Sequence, residues 1–515
     1  MCRDAAAFDR ASTLAWTSAR VQLHHLGLDP DEASVFQRLL AHVFYANTAL
    51  RPGADTLRHN RAGAYALWAH GISGDRPIVL VEIDDASDLA LVRQLLRAHS
   101  YFAVKNLPLD LVIVNGSSTS YMQDLQAAIE SLTRASQQRI QQAQAGGGSV
   151  FALRAEVMSG ESRLALLAAA RVTLIARRGT LAEQLDRLEE PAAETALPAV
   201  RVASRVLRAP VEPVAQPELE FANGTGGFGA EGREYVTVLK PGCTTPMPWI
   251  NVIAQPQFGF QVSATGAGFT WSCNSRENPL TTWSNDAVAD PPSEAIYIRD
   301  DDSGELWCPT AAPVRDPEGT YRASHGQGYS RFEYVSRGIS LELLQFVPRG
   351  RAVKVSQLKM VNSGIKARRL SVCAYVEWSL GPARTTQAPF IITERCERTG
   401  ALLARNPWNA QFAARTAYLD MGGAQLESTC DRREFLGLDG SLSAPAALRG
   451  QLPLSGRTGA GFDPCAALLT VVDVPAGATR EVAVFLGQAE DASGAATDIQ
   501  AARNLHLEQA REEVS

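Results

Sequence analysis

The sequence predicts a multidomain α+β protein, in which an N-terminal helical and small α/β module is followed by a large antiparallel β-sandwich. Three observations predict this order. The chain has 515 residues, more than one hydrophobic core usually serves. Helical periodicity, and then alternation of strands with helices, is confined to about the first 190 residues. Beyond residue 218, short strands follow one another with turn sequences between them.

Composition and charge restrict the classes of function. Hydrophobic residues make up 45% of the chain and charged residues 20%, which is typical of a soluble globular protein. A net charge of -6 gives no electrostatic reason to expect nucleic acid binding. The longest apolar run, 164–176, contains an arginine and is too short for a membrane span.

The eight cysteines are scattered through the chain without a CxxC pair, and the few histidines lie mostly in the first hundred residues. This pattern predicts reduced thiols in a cytoplasmic compartment. Because no His/Cys cluster has ligand spacing, we expect no metal and no cofactor.

Residues 1–66 are predicted as a helical segment. Helical periodicity begins almost at the first residue, in AAAFDRASTLAWTSARVQLHHLGL, without a recognisable cap. A second amphipathic helix follows at 31–46. The pair His24 and His25 has no carboxylate partner at helical spacing, so we expect a packing or surface role for it.

Residues 67–190 are predicted as a small α/β domain. The apolar runs 77–83 and 109–115 have the length and composition of parallel strands buried on both faces, and helices at 88–105 and 120–143 alternate with them. Such sheets often bind ligands at the carboxyl ends of their strands. The polar residues expected there are Asp84, Asp85, Asn115, Gly116, Ser117 and Ser118. Since no glycine fingerprint is present, a structural domain is favoured over a nucleotide site.

A linker, a sandwich and a final helix complete the chain. Residues 191–217 are rich in Pro, Ala and Val without a sustained period, which is linker composition. Residues 218–490 form the predicted β-sandwich. Residues 491–515 are predicted as one helix that runs into the C-terminus and stops without a cap.

The stretch from Trp249 to Pro309 has the residue mixture that sugar binding needs, with four tryptophans among Asn, Arg, Asp and Glu. Aromatic rings stack on the C–H face of a pyranose, and planar polar groups chelate its hydroxyls. Core packing is the alternative, because Trp at strand positions is often buried. The candidate binding residues are Trp249, Trp271, Asn274, Arg276, Glu277, Trp283, Asn285, Asp286, Arg299, Asp300 and Trp307, with a second group of Arg405, Asn406, Trp408 and Asn409.

Two glycine-containing motifs imitate ligand loops. The motif 223–229 is followed by a strand and not by the helix that would hold a phosphate, so it is interpreted as a hairpin. The acidic motif 300–305 lacks the length of a calcium loop, and a solvated turn is favoured.

Several motifs then resemble a known family. The chain is similar to the sandwich that precedes the catalytic barrel in cyclic β-1,2-glucan synthases and in the cellobiose-phosphorylase group, glycoside hydrolase family 94. The resemblance covers about 215–490, and the first 190 residues resemble the segment upstream. It implies a supersandwich fold in a fragment without glycosyltransferase or barrel, and a C-terminal helix, 491–515, that leads to the missing barrel. The similar motifs are FANGTGGF, GREYVTVL, the stretch TTPMPW to YIRD, HGQGYSRFEY, RLSVCAYVEW, ALLARNPWN, DRREFLG and LSGRTGAGFDPCAAL.

The resemblance implies a non-catalytic carbohydrate-binding and scaffolding role. The implied ligand is a β-1,2-linked β-glucan. The implied protein partners are a catalytic barrel and a glycosyltransferase, both normally on the same chain, and a second copy of the chain in a homodimer. The location would be cytoplasmic, with membrane association through parts outside this chain. One alternative is a stand-alone glycoside hydrolase or phosphorylase acting on β-glucan, with Glu277 or Asp286 as acid. Another is a purely structural docking or dimerisation module, which predicts a broad exposed apolar patch.

Overall fold

The computed structural model describes residues 4–45, 47–117, 122–142, 147–189, 218–438, 440–450 and 452–514. The chain divides into two compact units, Met1–Glu194 and Thr195–Ser515. The predicted linker, 191–217, lies outside the described residues, and the predicted domain boundaries stay a prediction.

Eight helices are described in the first unit. Asp4 caps the first of them, since its Oδ1 accepts a hydrogen bond of 3.0 Å from the Ala6 amide. The expectation of an uncapped start was therefore wrong. The helices are α1 (Ala5–Leu26), α2 (Pro30–Phe44), α3 (Ala54–His59), α4 (Tyr65–Trp68), α5 (Leu89–Val104), α6 (Met122–Gln142), α7 (Gly160–Ala169) and α8 (Leu181–Glu189).

A four-stranded parallel sheet forms the centre of the first unit, as predicted. Its strands run in the order β3, β2, β1, β4, and their apolar side chains pack with those of the helices in one core. The strands are β1 (Ile78–Ile83), β2 (Asp110–Asn115), β3 (Val150–Arg154) and β4 (Ala170–Ile175).

Polar groups at the carboxyl edge of this sheet mostly bind one another. The buried Asn115 accepts a hydrogen bond from the Ser117 amide and donates one to Gln126. Asp84 pairs with Arg177 at 3.5 Å across the neighbouring loops. Ser118 lies outside the described residues. These contacts fit the structural role expected for the domain.

The second unit is mainly antiparallel β structure. Its strands are β5 (Gly226–Gly229), β6 (Glu234–Leu239), β7 (Ile250–Gln255), β8 (Phe258–Ser263), β9 (Gly268–Ser272), β10 (Glu294–Asp300), β11 (Leu306–Trp307), β12 (Tyr321–Gly326), β13 (Tyr329–Ser336), β14 (Ile339–Phe346), β15 (Val353–Asn362), β16 (Arg368–Glu377), β17 (Ile392–Arg395), β18 (Leu402–Arg405), β19 (Thr416–Asp420), β20 (Glu427–Asp431), β21 (Pro464–Val474) and β22 (Thr479–Ala489). Its helices are α9 (Arg384–Gln387), α10 (Arg432–Leu436), α11 (Ala446–Arg449), α12 (Ala492–Arg503) and α13 (Leu507–Glu512).

Two large sheets form the predicted sandwich. Ten strands run in the order β17, β18, β19, β22, β15, β14, β13, β12, β6, β5, and five in the order β11, β10, β16, β21, β20. Alternate residues of both sheets share one buried core, for example Leu343 and Leu358 of the first sheet with Val372 and Leu468 of the second.

Helices cover part of the outer face of each sheet. Phe435 of α10 and Leu448 of α11 pack on the five-stranded sheet, and Ile499 of α12 packs on the ten-stranded sheet. The single helix predicted at the C-terminus is in fact two helices, and Asp491 caps the start of the first. Arg503 fixes the end of α12, because its guanidinium donates two hydrogen bonds, of 2.6 and 2.9 Å, to the buried Asp420.

A third, small sheet of β7, β8 and β9 has one apolar face in the core and one face outward. Directly opposed residues share a face, so the outer face has three rows of residues. The first is Ile250 and Ser263, the second is Val252, Gln261 and Phe269, and the third is Ala254, Gly259 and Trp271. The Asn251 amide anchors β7 by donating to the carbonyl oxygens of Gly326 and Tyr329.

The two glycine-containing motifs, 223–229 and 300–305, form turns, as predicted. Residues 226–229 pair with β6 in a hairpin. The motif 300–305 joins β10 to β11, and Asp300 accepts hydrogen bonds from the amides of Asp302 and Ser303 within it.

Candidate functional site

Trp283 presents an aromatic face on the outside of the small sheet. It lies in the loop between β9 and β10, and 54% of it is exposed. Its inner face stacks on Phe269 of β9, with 5.1 Å between ring centroids and 11° between planes. Phe269 itself is only 4% exposed. The stack leaves the outer face of the indole open, which is the arrangement that a pyranose ring needs.

Trp271 lies beside this stack on the same face of the sheet. Its ring centroid is 5.2 Å from that of Phe269, and it is half-buried. The ring covers Gly259 of the neighbouring strand, where an added Cβ would come within 2.6 Å of it. Gly259 therefore lets the indole lie close to the sheet.

A cavity of about 170 Å³ adjoins Trp283. Apolar side chains, including those of Met247 and Ile250, line part of it. Gln261 and Asn285 line it as well. Within the described part of the chain, the side-chain amide of neither residue has a hydrogen-bond partner. Free amides beside an open aromatic face can exchange hydrogen bonds with sugar hydroxyls.

Two aspartates of the cavity hold the loop that presents Trp283. The Oδ1 atom of Asp286 accepts hydrogen bonds from the amides of Val288 and Ala289 at 2.8 and 3.0 Å. These contacts, the Ala289 amide first, lower the pKa of Asp286, which therefore stays ionised. Asp290 Oδ2 accepts hydrogen bonds of 2.6 and 2.7 Å from the Ser263 and Thr265 hydroxyls, so the loop is tied to the end of β8.

The second predicted group also contains a stacked aromatic pair. The rings of Phe390 and Trp408 are 4.3 Å apart and parallel within 1°, and both are partly exposed. Asn406 is 3% exposed, and its side-chain oxygen accepts a hydrogen bond from the Trp408 backbone amide. Arg405 is also buried, and its guanidinium lies 3.6 Å from the Glu394 carboxylate. The buried polar residues therefore position the loop, and the ring pair remains the candidate contact.

A turn after β9 connects to this second group. Asn274 accepts hydrogen bonds of 2.9 Å from the amides of Arg276 and Glu277, whose side chains pair with each other at 3.3 Å. The Asn409 amide donates to the carbonyl oxygens of Glu277, at 3.0 Å, and Leu380. The structure thus brings four predicted residues of two sequence segments together, Asn274, Arg276, Glu277 and Asn409.

Trp307 and its neighbours belong elsewhere. Trp307 is 1% exposed within the main core and has no ring face open to a ligand. Asp300 is equally buried and forms an ion pair with Arg368. Arg299 donates to Asp301 and to the Ser371 hydroxyl. We therefore leave Trp307, Asp300 and Arg299 out of the candidate site, since packing and ion pairing already occupy them.

Trp249 is half-buried at the entry to β7. Its ring meets Tyr235 edge-on at a centroid distance of 5.7 Å, and Tyr235 meets Phe228 in the same way at 5.2 Å. The ring packs within this aromatic row, separate from the stack of Trp283.

Sequence reasoning missed Gln261, Phe269, Asp290 and Phe390. A signal existed for Phe269, because it lies two residues before Trp271 in a strand and must share its face. Nothing local distinguished Asp290, whose partners are at the end of another strand.

Among the described residues, no group of three or more His, Cys, Asp or Glu side chains could hold a metal ion. Within the same residues, no helix is both long and apolar enough to cross a membrane.

Comparisons with known proteins identify relatives of both units. The model of the glycosyl hydrolase 94 supersandwich domain matches residues 233–505. The cyclic beta-(1,2)-glucan synthase NdvB of Rhizobium meliloti is 40% identical over 488 residues, which are 93% of this chain and 17% of the synthase. The N,N'-diacetylchitobiose phosphorylase of Vibrio proteolyticus is 31% identical over 30% of this chain and 19% of its own length. The solabiose phosphorylase of Paenibacillus borealis is 27% identical over 44% of this chain and 30% of its own. The chain thus spans less than a third of each of these relatives.

Proposed function

The chain belongs to the glycosyl hydrolase 94 family through its supersandwich domain, and from that premise we propose that it binds β-1,2-linked glucan without catalysing a reaction on it. The observation that supports this proposal best is the exposed Trp283 ring, stacked on Phe269 beside a cavity with free amides. The relation to a cyclic β-1,2-glucan synthase supports the choice of glucan.

The energetics of such a site favour binding by stacking. The indole face offers apolar area to the C–H groups of a glucose ring, worth about 1–3 kcal/mol for one stacked ring. Stacking on Phe269 holds Trp283 in place before the ligand arrives, so little side-chain entropy is lost on binding. Gln261 and Asn285 then supply hydrogen bonds that replace those to water.

The carboxylates of the site support a role without catalysis. A general acid for glycosidic cleavage needs a raised pKa, so that it holds a proton near neutral pH. The pKa of Asp286 is lowered instead, and its Oδ1 atom is engaged by the backbone. Glu277 pairs with Arg276. In this proposal a catalytic barrel and a glycosyltransferase of the same polypeptide perform the chemistry, and the sandwich supports them and holds glucan.

Calorimetric titration of the chain with linear β-1,2-glucan tests the binding. Trp283→Ala should weaken the affinity about 5- to 150-fold, the equivalent of one stacked ring. Trp16→Ala is the matched control, because Trp16 is 61% exposed on α1 in the first unit. Equal loss in both variants, or no binding by the unmodified chain, would contradict the proposal.

A second test addresses the absence of catalysis. The chain incubated with β-1,2-glucan and phosphate should release no glucose 1-phosphate. Release that disappears in Asp286→Asn would establish a stand-alone phosphorylase instead.

One observation favours the docking module as a second candidate. Met247, Ile250, Val252 and Val288 around the cavity are 49–96% exposed, which makes an apolar rim. If this rim joins two copies, the chain should sediment as a dimer, and Val252→Lys should return it to a monomer. A monomer at all concentrations would dismiss the homodimer.

A further inference from the structure

We propose that the cavity beside Trp283 selects uncharged glycans and excludes those bearing carboxylate, phosphate or sulfate groups. This inference rests on the proposed function, since it concerns the ligand of the same site. It specifies the charge of the sugar that the site accepts. Neither the fold nor the aromatic stack determines that charge, because an indole face stacks equally well on neutral and on acidic sugars.

The charges around the cavity are of one sign. Fourteen of the described residues line it, and two of them, Asp286 and Asp290, are aspartates. Lys, Arg and His are absent from that lining. The nearest ring, Trp283, adds the negative face of an aromatic quadrupole. The charged side chains that a ligand anion would meet there would therefore all repel it.

Internal contacts leave this negative charge in place. Asp286 accepts hydrogen bonds from two backbone amides, and Asp290 accepts them from two hydroxyls, all neutral donors. Within the described part of the chain, neither carboxylate forms an ion pair. Asp300 differs from these two aspartates, because Arg368 forms an ion pair with it and neutralises its charge. Neutral donors stabilise an aspartate without cancelling its field on a ligand.

The other polar groups of the cavity suit uncharged hydroxyls. The amides of Gln261 and Asn285 each offer both donors and an acceptor, and no other described side chain uses them. A glucose hydroxyl can donate to the carboxylates and accept from these amides. Anionic groups only accept hydrogen bonds, so they gain from the amides alone and are repelled by both aspartates.

Three matched trisaccharides test the proposal by calorimetric titration at low ionic strength. The first is β-1,2-linked glucotriose, the second has glucuronate in place of one glucose, and the third has 6-amino-6-deoxyglucose there, so that the charged group is on C6 in both. We expect the glucuronate ligand to bind about tenfold more weakly than the neutral one, through repulsion by two carboxylates at partly solvated distances. The amino-sugar ligand should bind at least as well as the neutral one, which excludes a change at C6 as such as the cause.

Charge is tested further by salt and by substitution. High salt should bring the dissociation constants of the neutral and the anionic ligand closer together, since the two aspartates are near solvent and their field is screened. Asp286→Asn and Asp290→Asn should each reduce the ratio of the two dissociation constants, and using a ratio removes any general loss of affinity in the variant. Equal affinities for neutral and anionic ligands in the unmodified chain would overturn the selectivity and leave glucan binding intact. Absence of binding by the neutral ligand would overturn the proposed function itself.

Discussion

The loop that contains Trp283 and the turn that leads to Trp307 make an instructive pair. Both belong to the same sixty-residue stretch, and both place a tryptophan close to aspartate and serine. Yet Trp283 is 54% exposed and Trp307 is 1% exposed. Among the residues that the structure describes, Trp283 stacks on Phe269 alone, whereas Trp307 lies in the core with the Arg337 guanidinium 5.4 Å from its ring centre.

The carboxylates of the two segments differ in the same way. Asp286 binds amides of its own turn. Asp300 also caps its turn, but it is buried and pairs with Arg368, from a strand further along the chain. Similar local sequences therefore serve a surface in one case and a core in the other, according to what distant segments pack against them.

The largest expected effect is that of Trp307→Ala on stability. Removing a fully buried indole should cost about 3–5 kcal/mol of unfolding free energy, because it leaves a cavity in the core. The melting temperature should fall by roughly 10 °C in a calorimetric scan. A melt unchanged from the unmodified chain would mean that Trp307 is not the core residue of the pair.

Arg368→Ala should have the next largest effect. It leaves the buried Asp300 carboxylate without its cation, and an unpaired buried charge costs about 3 kcal/mol. Chemical denaturation measures the loss. Asp300→Asn with Arg368→Ala in the same chain is the control, and it should recover part of the stability, since no charge is then left buried.

Trp271→Ala should give a smaller and mixed result. The ring is half-buried over Gly259, so its removal should cost about 1–2 kcal/mol of stability and also weaken glucan binding. Gly259→Ala separates the two effects, because its Cβ would push the indole off the sheet while the indole remains present. Full affinity in Gly259→Ala would show that the ring position does not matter for glucan.

The smallest effect on stability is expected for Trp283→Ala. Only the stacking on Phe269 is lost, about 1 kcal/mol, although the loss of glucan affinity should be clear. Thermal scans of Trp283→Ala and Trp307→Ala, recorded together, compare the two regions directly. A large fall in the melting temperature of the Trp283 variant, with glucan still bound below that temperature, would reverse the assignment of the two rings.

The sequence by itself determined the elements and their order. Continuous apolar runs with helices between them predicted a parallel sheet in the first unit, and alternating residues with turn motifs predicted the antiparallel sheets, because side-chain period follows backbone geometry. Caps were less predictable: Asp4 and Asp491 were overlooked at the ends of α1 and α12.

Only the tertiary structure decided which rings and charges remain available. The exposure of Trp271, Trp283 and Trp307 depends on their contacts with Gly259, Phe269 and the sandwich core. Asp290 and Asp300 differ because one meets hydroxyls and the other an arginine from a distant strand. Burial and ion pairing are properties of contacts between segments remote in sequence, so no local pattern of residue types contains them.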